Sequence, residues 1–119
     1  MQNEKIYDIH KRIYIWVIQV INFTKKLPKT PQNSVFIVQV TESVSSVGAN
    51  DQEADASDSK KDFIAKYVIV RKECKETVYW LSVIKDTNPV EFTKGAEILI
   101  IEGKEIGYIV STIINNSRK

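Results

Sequence analysis

The sequence predicts an all-α protein, an antiparallel up-and-down four-helix bundle, and three observations carry that prediction. Apolar residues recur at alternating steps of three and four along four segments, the spacing that keeps side chains on one helical face. The breaks between segments are short and hold residues that end or start helices: Leu27-Pro28, Thr30-Pro31, Ser59 and Asn88-Pro89. Segments of about 22 to 26 residues span roughly 33 to 39 Å, so they can lie side by side with short connections.

The first segment, 4–26, sets Ile6, Ile9, Ile13, Trp16, Val20, Thr24 and Leu27 on one face. Leu27-Pro28 stops it, since proline lacks the ladder N–H and disfavours helical geometry in the residue before it. Thr30 then caps the second segment, 31–54, with Pro31 at its first position. Ser34 to Val47 is valine-rich and alternates in places as a strand would. Helix is the better reading, because Phe36, Val40, Ser43 or Val44, Val47 and Asn50 keep the three/four period and no turn residue breaks the run into a hairpin.

Ser59 and Asp62 have capping-box spacing at the start of the third segment, 59–85. Phe63, Tyr67, Val70, Cys74, Thr77 or Val78, Leu81 and Ile84 make the cleanest stripe in the chain, with Asp62 and Lys66 paired one turn apart. After a loop at Asp86 to Val90, the fourth segment, 93–115, carries Ala96, Leu99, Ile106, Ile109 or Val110, and Ile113, weakened by Gly103 and Gly107.

The chain has 119 residues, which fits one domain, 1–119. Its 43% hydrophobic and 27% charged residues describe a globular protein, and a net charge of +2 is far from that of a dedicated nucleic-acid clamp. The lone Cys74 forms no internal disulfide and the lone His10 builds no multi-histidine metal site. The longest apolar run, Ile13 to Ile18, is too short for a membrane span, and no signal-peptide pattern opens the chain, so a cytoplasmic protein is expected.

A second apolar face accompanies the core stripe. With residues set 100° apart, Val68, Tyr79 and Val83 lie nearly opposite the stripe of the third helix, with Ile69 and Trp80 alongside; Tyr7, Tyr14, Ile18 and Ile21 repeat the pattern on the first. Helices apolar on two sides are usually buried on both, so a homo-oligomer is expected, with Tyr14, Ile18, Val68, Ile69, Tyr79, Trp80 and Val83 at its contacts.

Between Ser46 and Leu81 the sequence reads Ser46-Val47-Gly48-Ala49-Asn50, Glu53-Ala54, Ser59-Lys60-Lys61-Asp62-Phe63-Ile64, Lys72-Glu73, Glu76 and Tyr79-Trp80-Leu81. With these residues the chain resembles, over nearly its whole length, the four-helix-bundle family of 23S rRNA intervening-sequence proteins. The resemblance implies an antiparallel bundle assembled as a homopentameric ring, with no established biochemical activity. It also implies a structural part for the motif residues Ser46, Asn50, Glu53, Asp62, Phe63, Glu73 and Glu76. The chain is similar as well to the accessory protein of diversity-generating retroelements, a bundle thought to engage nucleic acid and a reverse transcriptase. It departs from the family in carrying Glu42 where an arginine is common, and in its acidic Asn50-Asp51-Gln52-Glu53, which weakens a nucleic-acid reading of that face. Asn50 falls on the core stripe, where a buried amide would fix helix register.

Catalytic and metal chemistries find little support. Asp51, Glu53, Asp55, Ser57, Ser59 and Asp62 imitate the ligand spacing of an EF-hand, but Ala56 replaces the turn glycine, Asp58 replaces an apolar residue, and the last ligand is an aspartate. A di-iron bundle needs Glu-x-x-His pairs, and Tyr7 stands three before His10. Cys74 reads as a small core residue, His10 as a boundary residue, and Glu73 and Glu76 beside Arg71, Lys72 and Lys75 as helix-surface pairs. Gly103-x-x-x-Gly107 is weak evidence for close helix approach outside a membrane. The reading is a non-enzymatic, homo-oligomeric assembly or adaptor protein without metal, cofactor or membrane partner. Its alternative is a direct RNA or DNA binder using Lys25, Lys26, Lys29, Lys60, Lys61, Lys72 and Lys75 repeated around an oligomer.

Overall fold

The first three helices begin where the sequence offers a side chain to cap them, and the fourth continues from a 3-10 turn without one. In the computed structural model, which describes residues 8–119, Asp8 accepts the Lys11 N–H at 3.1 Å and opens α1, Ile9–Thr24. The expected start at Glu4, with Ile6 and Tyr7, lies outside the described residues. Thr30 accepts the Asn33 N–H at 3.0 Å and Pro31 takes the first position of α2, Pro31–Asp55. Ser59 does the same for the Asp62 N–H at 3.0 Å, starting α3, Lys60–Thr87. A short 3-10 turn, Val90–Phe92, leads into α4, Thr93–Ser117. Among the described residues there is no strand, so the valine-rich stretch that leaned toward one is helix throughout. Burial decides that case: Val40, Val44 and Val47 are fully enclosed on one helical face, and core packing outweighs a propensity difference of well under 1 kcal/mol per residue.

Consecutive helices are antiparallel neighbours, and α4 closes back on α1, so α1 lies diagonally across from α3. The bundle measures 46 × 30 × 18 Å. Trp16, Val20, Val70, Leu81, Ile106 and Ile114 fill the centre with no exposed surface. Trp16 is the largest of them, and its indole N–H donates to the Leu99 carbonyl at 3.0 Å, which satisfies the one polar atom the ring carries inside.

The core stripes differ from expectation in places where two adjacent residues compete for the inside. On α2 the buried positions run Val40, Val44, Val47, Asp51 and Ala54, so the step after Val47 is four and Asp51 goes inside, while Asn50 is half-buried and bonds back to the Ser46 carbonyl at 2.9 Å. Ser43 and Val44 are both buried; Thr77 is chosen over Val78, and Val110 over Ile109. Phe36, Phe63 and Ile113 sit half-buried at the core's edge, and Ile114 is enclosed instead of Ile113.

Candidate functional site

The densest polar constellation joins α1, α2 and α3 around Asp51, which is only 1% exposed. His10 Nδ1 lies 2.9 Å from Asp51 Oδ1 and 3.0 Å from Oδ2, and the Tyr67 hydroxyl donates to Oδ1 at 2.7 Å. The other ring nitrogen of His10, Nε2, is 3.3 Å from Asp55 one turn further along α2. Burial first, and then the bond to Asp51, push the Tyr67 phenol well above its ordinary range. Burial likewise pushes the Cys74 thiol up to about 12, with the charges of Asp51 and Glu73 adding to it. A thiol so held is protonated at neutral pH and is no nucleophile. Every member of this cluster is engaged by another, which makes it a three-helix tie.

The residues that imitate a calcium loop are committed to other tasks. Asp51 and Asp55 hold His10, Glu53 Oε1 takes the Lys66 ammonium at 2.8 Å, and Ser59 caps α3. Because 51–55 is helical, these side chains point around the helix and cannot wrap a single ion.

The motif residues serve local structure. Ser46 receives the Asn50 amide on both its carbonyl and its hydroxyl, at 2.9 and 3.1 Å. Phe63 stacks at a tilt on Tyr67, with ring centroids 4.8 Å apart. Asp62 is exposed in the first turn of α3, where its charge favours the helix dipole. Glu76 accepts the Trp80 indole N–H at 3.3 Å, and burial, together with Glu76, raises the Glu73 carboxyl above its usual range.

Of the seven residues expected at subunit contacts, Tyr14, Ile18 and Tyr79 are exposed, while Ile69 and Val83 are half-buried. Val68 and Trp80 reach the core from its margin, Trp80 stacking on Phe36 with centroids 6.1 Å apart, so both belong partly to the bundle itself. An apolar surface absent from the sequence reading lies on α4, where Ile98, Ile101 and Tyr108 are exposed. Arg12 grips Glu102 with two bonds of 2.6 and 2.8 Å, which raises its guanidinium further, and with Trp16 on Leu99 this fixes the register of α1 against α4. That register sets the turn holding Ile15 and Ile18 level with the turn holding Ile98 and Ile101, and Tyr14 extends the patch.

The expected lysine contacts do not converge. Lys25, Lys26 and Lys29 flank the turn between α1 and α2, whereas Lys60 and Lys61 start α3 at the other end of a molecule 46 Å long. Lys72 and Lys75 lie exposed along α3. No described helix is long and apolar enough to cross a membrane.

No curated protein matches the chain. A solved structure does: a protein of unknown function from the S23 ribosomal protein family of Bacteroides thetaiotaomicron, 30% identical, with a TM-score of 0.79, covering 89% of this chain and 97% of that one. Residues 5–111 match the profile of a family described as 23S rRNA-intervening sequence protein. This four-helix bundle therefore belongs to the 23S rRNA-intervening sequence protein family.

Proposed function

We propose that the protein is a non-enzymatic assembly module that works as a homo-oligomer, a ring of five copies. The observation that supports this reading is the apolar surface across α1 and α4, where Tyr14, Ile15, Ile18, Ile98 and Ile101 remain 41 to 65% exposed. Covering the exposed part of each side chain is worth about 1 kcal/mol, enough in sum to offset part of the cost of association. Tyr79 on α3, 59% exposed with the half-buried Val83 one turn further on, offers a second and different patch. Because α1 and α3 are diagonal partners, their outer surfaces face away from each other. Two unlike patches on opposite sides pair head to tail, and such contacts make a ring when the rotation from copy to copy closes.

Sedimentation equilibrium at micromolar concentration tests the reading. The expected particle has five times the 13.6 kDa mass of the chain. Ile101→Glu or Tyr79→Glu, both at exposed positions, is expected to give monomers of unchanged helicity. A wild-type particle that stays at the mass of one chain overturns the proposal.

A further inference from the structure

Between α3 and α4 runs a trough of about 440 Å³ whose charge and floor the fold leaves unused. Its walls carry Arg71 and Lys75 from α3 and Lys104 from α4. Among the described residues none of the three lies within 4 Å of a carboxylate, although Arg12, Lys66 and Lys85 all find one. Three like charges gathered without partners repel one another, and an anion lying between them relieves that repulsion.

The floor is open for a specific reason. A Cβ built on Gly107 meets nothing within 4 Å, so the groove exists where a side chain would otherwise fill it. A glycine inside a helix costs about 1 kcal/mol relative to alanine, and here no packing contact accounts for it. At the rim stands Tyr108, 73% exposed, an aromatic face turned to solvent beside the cations.

We propose that this groove binds a single-stranded nucleic acid, its phosphates on Arg71, Lys75 and Lys104 and a base against Tyr108. A trough of about 440 Å³ seats part of a single strand, whose bases are free to stack on Tyr108, whereas the bases of a duplex are already paired and stacked on one another. The planar guanidinium of Arg71 matches phosphate oxygens in pairs, and the ring of Tyr108 favours a strand bearing bases over an acidic peptide. Tyr108 continues the exposed stripe of Ile98 and Ile101, whereas the cations Arg71, Lys75 and Lys104 lie outside it, and the proposal does not rest on the assembly reading.

Fluorescence anisotropy with a labelled single-stranded RNA oligonucleotide tests it, on protein in its native state of association. Three neutralised phosphates predict that log affinity falls with log salt at a slope of about −2. Arg71→Glu with Lys75→Glu is expected to weaken binding by about tenfold or more and to flatten that slope. Gly107→Leu fills the trough and is expected to lose binding while its thermal midpoint is unchanged or raised, which separates blocked access from misfolding. Tyr108→Ala is expected to weaken the oligonucleotide but not inorganic polyphosphate. The proposal is overturned if the oligonucleotide fails to bind at low salt, or if it binds the groove variants as it does the wild type. It is equally overturned if Tyr108→Ala weakens both ligands alike or neither, or if binding follows Lys25, Lys26 and Lys29 instead.

Discussion

Tyr67 donates its hydroxyl to Asp51 at 2.7 Å across the seam between α2 and α3, and His10 of α1 holds the same carboxylate at 2.9 Å. Three helices therefore meet on one buried charge, and removing different members costs different amounts. Tyr67→Phe leaves Asp51 its bonds to His10 and is expected to cost about 1 to 2 kcal/mol. Asp51→Ala strands the Tyr67 hydroxyl and removes the shared acceptor, with an expected loss of about 3 kcal/mol or more. Urea unfolding of the two variants checks the order; equal losses would show that the tie is not centred on Asp51.

Alkaline conditions are expected to loosen the fold before they harm its surface. The Cys74 thiol is pushed up from its ordinary 9 to about 12, chiefly by burial, and the Tyr67 phenol is raised in the same sense. Groups raised on folding hold their protons longer in the native chain, so the stability they contribute is full below about pH 9 and is lost as pH rises toward and through 12. Each contributes a slope of about 1.4 kcal/mol per pH unit inside its window. Unfolding free energies measured across that range should fall, and Cys74→Ala or Tyr67→Phe should flatten the decline. A profile unchanged by both variants would refute the assignment.

Helix order, caps and most of the core could be read from the chain because each depends on neighbours within four or five residues. Thr30, Pro31 and Ser59 act locally, and the α3 stripe from Tyr67 to Ile84 is regular enough to leave little choice of face. The centre of the polar tie was not legible, since His10 and Asp51 are 41 residues apart and nothing near either announces the other. Periodicity also placed Asn50 inside where Asp51 goes, because steps of three and four fit the pattern equally well until packing decides. The α4 surface was hidden in Ile98-Leu99-Ile100-Ile101, a run with no polar side, in which the spacing picks out Leu99 but only the structure shows Ile100 turning inward beside it and Ile98 and Ile101 facing out. Gly103 and Gly107 looked like one motif and occupy two unlike environments.

That contrast gives a paired prediction. A Cβ on Gly103 would stand 2.5 Å from the Trp16 ring and 2.8 Å from Val78, and the ring cannot move because its N–H is bound to Leu99 and its surface is fully enclosed. Gly103→Ala is therefore expected to destabilise by about 1 to 3 kcal/mol, overriding the gain in helix propensity. Gly107→Ala faces open space and is expected to stabilise by about 0.5 to 1 kcal/mol. Thermal midpoints that move in the same direction for both would contradict the geometry.

At the end of the bundle away from Asp51, Asn33 and Asn88 exchange amide bonds of 2.8 and 3.0 Å. Asn33 also donates to the Pro28 carbonyl and Asn88 to that of Ile84, so the pair ties the turn after α1 to the end of α3. Asn33 is 3% exposed, and its loss leaves the Pro28 carbonyl and the Asn88 side chain short of partners. Asn33→Ala is expected to cost about 1 to 2 kcal/mol, and Asn33→Asp to cost at least as much, because a carboxylate cannot donate to Pro28 or Asn88. Hydrogen exchange separates this local tie from a general weakening. In Asn33→Ala, amides near Leu27, Asn33 and Asn88 should exchange faster, while those around Tyr67 keep the protection that the lower global stability allows. Uniform acceleration along all four helices would mean that the amide pair acts on the whole fold and not on its end.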